Sequence, residues 1–204
     1  MQLKIHPENP EGRKIDQAVK ILRKGGVIIY PTDSVYAFGC DLNSHKGMEL
    51  LCRIKGIKPD QAKFSIVCES LSHISEFTKP ISTSVFRLMK QCLPGPFTFI
   101  LEANNATPKL FRMTKKREIG IRVPANQIIL NLVEALGNPM VTTSIHGDDE
   151  ILEYTNDPEL IAEKYEKRVD LIIDGGIGNL LPSTIINCTE QPFIQRQGLG
   201  EVNL

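Results

Sequence analysis

The sequence predicts an α/β fold in which helices pack on one mixed sheet. Segments with apolar residues at helical spacing alternate along the chain with short runs of β-branched residues. The later strand-like runs follow one another closely, which favours a sheet with antiparallel as well as parallel strand pairs. Because no fixed-period repeat and no Pro- or Ser-rich linker divides the sequence, we expect residues 1–204 to form a single domain.

The first elements follow from turn and cap residues. Asn9 and Pro10 are predicted to cap and open an amphipathic helix, which ends at Gly25. The apolar run 27–30 is typical of a buried strand, and the residues 31–34 after it are expected to form its exit loop.

The middle of the chain repeats this alternation. Ser44 is predicted to cap a helix that ends near Gly56, and Ser82 is predicted to begin another. Strands are expected at 64–68 and 97–101.

The last third is richer in strands. Apolar spacing at 129–136 predicts a helix, and Asp157-Pro158 is a typical helix start. The remaining strand-like runs are 119–123, 140–143, 169–173, 183–188 and 193–196.

The composition is that of a compact, enzyme-sized protein. Of 204 residues, 41% are apolar and 24% charged, and a chain of this length buries roughly 70% of its unfolded surface. Cations and carboxylates number 24 each, so no net charge draws the whole protein towards nucleic acid.

The cysteines and the hydropathy pattern indicate a compartment. The five cysteines form no CxxC pair, which argues against a zinc knuckle or disulfide framework and favours a reducing environment. With no signal-peptide core and no long apolar run, the sequence predicts a cytoplasmic protein without a membrane partner.

Signatures of several common enzyme classes are absent from the sequence. There is no Walker A loop, G-x-G-x-x-G fingerprint, H-E-x-x-H, G-x-S-x-G or kinase motif. The remaining candidates are polar residues at strand ends, which is where open α/β sheets bind ligands.

Thr32-Asp33-Ser34 follows the strand that ends at Tyr30. Its hydroxyls could hold a substrate carboxylate or phosphate, but the same residues also form ordinary turns closed by side-chain hydrogen bonds. The turn is the favoured alternative.

Two stretches are strongly basic. Arg53, Lys55, Lys58 and Lys63 either complement a helix dipole or form a polyphosphate clamp. Five cations within 109–117 could face a nucleic-acid backbone, although a solvated face is the commoner outcome.

Ser144 and His146 follow another strand and precede an acidic stretch, 147–156, that is expected to form a mobile loop. The acidic spacing suits no rigid metal site, so we expect no protein-held metal and instead Mg²⁺ held mainly by substrate phosphates. Strand-end hydroxyls also commonly bond to nearby backbone.

Arg122 and Arg196 lie within strand-like runs, where an acidic side chain or an anionic ligand must satisfy an arginine. For these arginines a ligand is slightly favoured. Cys40 is predicted to be a small buried residue and not a nucleophile.

Seven short motifs occur in one order along nearly the whole chain. They lie at 29–39, 93–101, 120–124, 143–144, 170–176, 183–186 and 196–198. Together they resemble the YrdC family, and most closely its YciO-like branch. The resemblance implies a YrdC-type α/β fold, with a twisted mixed sheet and flanking helices around a large concave basic cleft.

The resemblance also implies an ATP-dependent activity. L-Threonine and bicarbonate would form N-carboxy-threonine, which attacks ATP to give threonylcarbamoyl-adenylate and pyrophosphate for tRNA modification. ATP with Mg²⁺, L-threonine and bicarbonate are therefore the expected ligands. The alternative implied by the family is a noncatalytic protein that binds double-stranded RNA or tRNA in the same cleft.

Site residues follow from the same resemblance. The implied catalytic residues are Lys55, Ser144 and Arg196. The implied substrate-binding residues are Thr32, Thr98, Arg122 and Ser183, with Arg122 facing a substrate carboxylate.

Two positions depart from the family's catalytic pattern. Its K-x-R motif becomes Lys55-Gly56-Ile57, and its S-x-N motif ends in His146. An apolar side chain cannot replace a guanidinium on phosphate, so Lys58 is expected to substitute in part as a point charge. His146 is expected to donate one hydrogen bond in place of the amide, with a charge that varies with pH.

Overall fold

The computed structural model describes residues 1–108, 117–145 and 156–204. Ten strands lie in these residues: β1 (Gln2–Lys4), β2 (Ile28–Tyr30), β3 (Ala37–Asp41), β4 (Ser65–Val67), β5 (Phe97–Glu102), β6 (Glu118–Arg122), β7 (Met140–Ser144), β8 (Leu171–Asp174), β9 (Thr184–Asn187) and β10 (Phe193–Arg196). The α-helices described are α1 (Gly12–Arg23), α2 (His45–Lys55), α3 (Leu71–Ile74), α4 (Thr83–Cys92), α5 (Gln127–Leu136) and α6 (Pro158–Tyr165), and a 3₁₀ turn covers Pro59–Gln61.

All ten strands form one sheet in the order β1-β8-β2-β3-β7-β4-β6-β5-β9-β10. Strand β8 pairs in parallel with β1 and β2, and the pairs β4 with β6 and β5 with β9 are also parallel. The other pairs are antiparallel. The predicted α/β fold with a mixed sheet is thus confirmed.

Helix ends are fixed largely by local capping. The hydroxyls of Ser44 and Ser82 accept hydrogen bonds from the backbone amides of Gly47 and Val85, at 3.0 and 3.3 Å, as the sequence predicts. Asp157 caps α6 in the same way. Gly56 ends α2 with a φ of 67°, a left-handed conformation that glycine adopts without strain.

The predicted start of α1 is wrong. The helix begins at Gly12 with Glu11 as its first flanking residue, so neither Asn9 nor Pro10 caps it. Instead the imidazole of His6 accepts a hydrogen bond from the Asn9 amide at 3.1 Å and closes a turn before the helix. This side-chain turn uses the residues that otherwise resemble a helix start.

Apolar side chains on the two faces of the sheet form two clusters. On one face, α2, α4 and α6 contribute to a large cluster with residues such as Phe38, Ile66 and Phe99. On the other face, α1 and α5 cover β2, β8 and parts of β3, β4 and β7. We call this region, which includes Ile28, Tyr30, Val67 and Met140, the covered half of that face.

Neither α1 nor α5 covers the rest of the same face. Ser65 and Thr142 each lie two residues from a side chain of the covered half, Val67 and Met140 respectively, so strand alternation puts them on the same face. We call this region, formed by parts of β4, β5, β6, β7 and β9, the open half.

In the part of the chain that the structure describes, no helix is long and apolar enough to cross a membrane. All five cysteines are free thiols, and Cys40 is completely buried. Burial raises the pKa of the Cys40 thiol well above its usual range, because the apolar surroundings disfavour the thiolate. The prediction of a small buried residue at Cys40 is confirmed.

Candidate functional site

The open half forms the floor of a cleft of ≈ 660 Å³. This volume lies within the range of small-molecule sites. Five predicted site residues line it: Thr98, Arg122, Ser144, Ser183 and Arg196. Because these residues come from five separate parts of the chain, the sheet brings the predicted site together.

The cleft floor is polar where the covered half is apolar. Ser65, Thr98 and Thr142 project from neighbouring strands, and Gly120 lies between the first two without a side chain. A Cβ at Gly120 would lie 2.3 Å from the Ser65 hydroxyl oxygen, so a larger residue at this position would require the Ser65 side chain to move.

Thr98, Ser183 and Arg196 form one contact network on the side of β9 and β10. The hydroxyls of Thr98 and Ser183 are 2.8 Å apart and both residues are buried. The Arg196 guanidinium donates to the carbonyl oxygen of Ser183 at 2.8 Å. This bond holds the Arg196 backbone and side chain beside the cleft, while the residue remains exposed to a ligand.

Arg122 has an acidic partner within the protein. One terminal nitrogen of its guanidinium lies 2.6 Å from a carboxylate oxygen of Asp33 and 3.1 Å from the Ser34 hydroxyl. The second carboxylate oxygen of Asp33 accepts a hydrogen bond from the Ala125 amide. The sequence left two partners open for Arg122, an acidic side chain or an anionic ligand, and slightly favoured the ligand. In the structure the partner is an acidic side chain, Asp33.

One donor of the same side chain is still unused. Arg122 is only 6% exposed, and its Nε makes no hydrogen bond with the described residues. A buried donor without an acceptor raises the free energy of the folded protein.

Thr32 forms a local turn. Its hydroxyl donates to the carbonyl oxygen of Val35 at 2.7 Å and accepts from the Ser34 amide at 3.0 Å. This is the side-chain turn favoured from the sequence. Thr32 is buried and does not belong to the described cleft lining, so a direct contact between its hydroxyl and substrate stays a prediction.

Lys55, in the last turn of α2, is not among the described lining residues but contacts one of them. Its ammonium donates to the carbonyl oxygen of Ser144 at 3.1 Å and lies 6.0 Å from the ring centre of Phe38. The side chain of Lys55 is thus held against the end of β7. Two implied catalytic residues, Lys55 and Ser144, are in direct contact.

Other predicted residues are placed differently. Lys58 is exposed, immediately precedes the 3₁₀ turn and is not among the described lining residues. His146 lies outside the described residues, as do the acidic loop up to residue 155 and the basic stretch 109–116. Their predicted roles stay predictions.

The sequence analysis did not assign several lining residues to the site. Among them are Glu118, Asn187 and Gln195, whereas Lys63 was named only as one member of a candidate polyphosphate clamp. The amide of Asn187 donates to the side-chain oxygen of Gln195 at 3.1 Å, which links β9 to β10 at the cleft. For Lys63 the only sequence signal was its place in a basic stretch.

Charges around the cleft favour an anionic ligand. The lining carries the cations Lys63, Arg122 and Arg196 and one carboxylate, Glu118. The Arg122 charge is balanced by Asp33. Among the described residues, no group of three His, Cys, Asp or Glu side chains could hold a metal ion.

Comparison with known proteins agrees with this geometry. The Sua5_yciO_yrdC family model, described as "Telomere recombination", matches residues 20–198. The uncharacterized protein YciO of Escherichia coli strain K12 is 46% identical over 200 residues, which are 97% of this chain and 95% of that protein. The crystal structure of E. coli YciO superposes with a TM-score of 0.90, at 44% identity, and the match covers 98% of this chain and 97% of that one.

Two further relatives have names that state a ligand or an activity. The threonylcarbamoyl-AMP synthase of Methylobacillus flagellatus is 32% identical over 130 residues, which are 64% of this chain and 71% of that protein. The P. abyssi Sua5 structure complexed with L-threonine has a TM-score of 0.85 at 25% identity, and the match covers 97% of this chain and 57% of that one. On the family match and the YciO likeness, the chain belongs to the Sua5/YciO/YrdC family.

Proposed function

We propose that the chain binds ATP and L-threonine in the cleft and, with bicarbonate, synthesises threonylcarbamoyl-adenylate or a related carbamoyl-adenylate. One observation carries the proposal. Five of the seven site residues implied by the family resemblance line a single cleft. Support also comes from the relatives, one named as a threonylcarbamoyl-AMP synthase and one solved with L-threonine.

The proposed reaction has two steps. The threonine amine and bicarbonate first form an N-carboxylate and release water. An oxygen of this carboxylate then attacks the α-phosphorus of ATP, the bond from that phosphorus to the bridging oxygen breaks, and pyrophosphate leaves. The protein's task is to hold two anions together and to balance the charge that moves onto pyrophosphate.

The cleft residues suit these tasks. Lys55 and Arg196 supply cations for the phosphates, and Ser144 supplies a hydroxyl between them and the floor. Arg122 is fixed by Asp33 and lines the cleft, where its guanidinium would attract a substrate carboxylate. Mg²⁺ would enter with the ATP phosphates as part of the substrate.

The test incubates the protein with ATP, Mg²⁺, bicarbonate and L-threonine and detects the adenylate by mass spectrometry. Each component is omitted in turn. We expect an adduct that disappears without bicarbonate or threonine. Lys55→Ala should abolish its formation, whereas Lys90→Ala, which removes an exposed cation on α4, should leave it unchanged.

Absence of the adduct at near-stoichiometric protein would overturn the proposal. Binding of double-stranded RNA or tRNA would then be measured at increasing salt. An RNA complex weakens steeply with salt because counterion release is lost, which separates it from a small ligand held in a closed cleft.

A further inference from the structure

One cation of the cleft has no role in the function proposed above. Lys63 precedes β4 by two residues, and its neighbours Ala62 and Phe64 are buried while Lys63 itself is exposed. Because successive side chains of an extended chain point to opposite sides, Lys63 continues the row formed by Ser65 and Val67. This row faces the cleft.

Lys63 and Ser144 lie at the same end of two paired strands. Strand β4 runs antiparallel to β7 with Ser65 opposite Thr142, so Lys63 precedes the start of β4 where Ser144 ends β7. Continuing this register two residues beyond β4 would bring Lys63 level with Ser144. Both residues line the cleft.

Lys55 approaches Ser144 from the other side. Strand β7 lies between β3 and β4, and Ser144 pairs with Ala37 of β3. The Lys55 ammonium donates to the Ser144 carbonyl and lies near Phe38, also on β3. Ser144 is therefore contacted by one lysine, Lys55, and shares the cleft lining with another, Lys63.

Lys63 is available for a ligand. The ion pairs and hydrogen bonds formed within residues 1–108, 117–145 and 156–204 do not include its ammonium. By contrast, Ile57 is half-buried and packs against the large apolar cluster, so it offers no charge to the site. Lys58 is exposed and lies outside the described cleft lining.

We infer that Lys63 is a further phosphate-binding cation of this cleft and that it holds a nucleotide polyphosphate together with Lys55, which contacts Ser144. The inference rests on the proposed function, since it takes the cleft to bind a nucleotide. It assigns to Lys63 the charge that Ile57 lacks. Lys90, an exposed lysine of α4 outside the described cleft lining, is the matched control.

The test compares binding of Mg·ATP and of adenosine to three variants by isothermal titration calorimetry. Lys63→Gln removes the charge at similar length, Lys63→Arg keeps it, and Lys90→Gln makes the same change on an exposed lysine of α4 outside the described cleft lining. Loss of one charge-assisted contact should raise the Kd for ATP about 10-fold in Lys63→Gln. The Kd for adenosine should stay unchanged, because adenosine lacks phosphates.

Lys63→Arg should restore most of the ATP affinity, and Lys90→Gln should bind ATP like the wild type. Equal ATP affinities for Lys63→Gln and wild type would overturn the inference. So would equal weakening of ATP and adenosine, since that result indicates a general disturbance of the site. If the wild-type protein binds neither compound, the proposed function itself is wrong. That outcome differs from one in which the wild type binds ATP and Lys63→Gln binds it equally well, which overturns only the inference about Lys63.

Discussion

The covered half and the open half share one face of one sheet but differ in what their strands present. In the covered half, β2, β8 and the ends of β4 and β7 present apolar side chains to α1 and α5. In the open half, neighbouring positions on the same strands present Ser65 and Thr142 to the cleft. A change of residue type over two positions along a strand thus separates core from site.

This difference assigns most of the stabilising burial to the covered half and the candidate site to the open half. Burial of apolar surface under α1 and α5 stabilises the sheet. The open half gives up that burial, and its polar groups stay satisfied through pairs such as Thr98 with Ser183 and Arg122 with Asp33. Tyr30, fully buried, marks the boundary, because its hydroxyl lies 2.6 Å from that of Thr142.

The largest loss of stability should come from breaking the ion pair between Asp33 and Arg122, which lies beside the open half. Asp33→Ala leaves Arg122 buried without its carboxylate, and we expect the free energy of unfolding to fall by about 4 kcal/mol. Urea denaturation measures the loss. In the double variant Asp33→Ala, Arg122→Met most of it should return, and a loss below about 1 kcal/mol in the single variant would contradict a stabilising role for this pair.

Substitution of one isoleucine in each half compares their contributions to stability directly. Ile129 on α5 is fully buried in the covered half, whereas Ile185 on β9 lines the cleft and is half-buried. Ile129→Ala should lower the free energy of unfolding by about 3 kcal/mol and Ile185→Ala by about 1 kcal/mol. Equal losses of unfolding free energy in urea denaturation would contradict the conclusion that the covered half contributes more to stability than the open half.

Gly120 tests how closely the open floor is packed. Gly120→Ala would place its Cβ 2.3 Å from the Ser65 hydroxyl oxygen, and we expect a loss of about 2 kcal/mol. A double-mutant cycle with Ser65→Gly should show strong coupling, because that change removes the clashing atoms. Additive losses would mean that the strain arises elsewhere.

The smallest expected loss of stability is at Tyr30, on the boundary between the covered half and the open half, and it depends on pH. Burial raises the pKa of Tyr30 to about 12, from 10.0, because the phenolate is disfavoured away from water. Tyr30→Phe should cost about 1 kcal/mol at neutral pH through the lost hydrogen bond. Above pH 10 the unfolded chain ionises while the folded one does not, so the wild type loses stability from pH 10 towards pH 12.

The Phe variant lacks this loss, so the stability difference between the two proteins should shrink as the pH rises above 10. Urea denaturation at pH 8, 9.5 and 10.5 under reducing conditions measures it. A constant difference across this range would show that Tyr30 ionises equally in both states.

Much of the secondary structure could be predicted because its causes are local. The caps Ser44, Ser82 and Asp157 bond to amides two or three residues away, and Gly56 provides the left-handed end of α2. Asn9 failed as a cap although it is a typical one, because the His6 side chain forms a competing turn. Strand β3 has no alternating pattern, since all five of its residues are buried, and strand patterning alone did not predict it.

The sequence by itself determined the fold class, most element positions and, through its ordered motifs, the family. Only the tertiary structure decided which polar residues meet: Thr98 contacts Ser183 across 85 positions, and Asp33 satisfies Arg122 across 89. It also placed Lys63 in the cleft lining with Ser144 and left Lys58 outside the described lining. Strand order and register are set by burial summed over the whole sheet, and no local stretch of sequence contains that information.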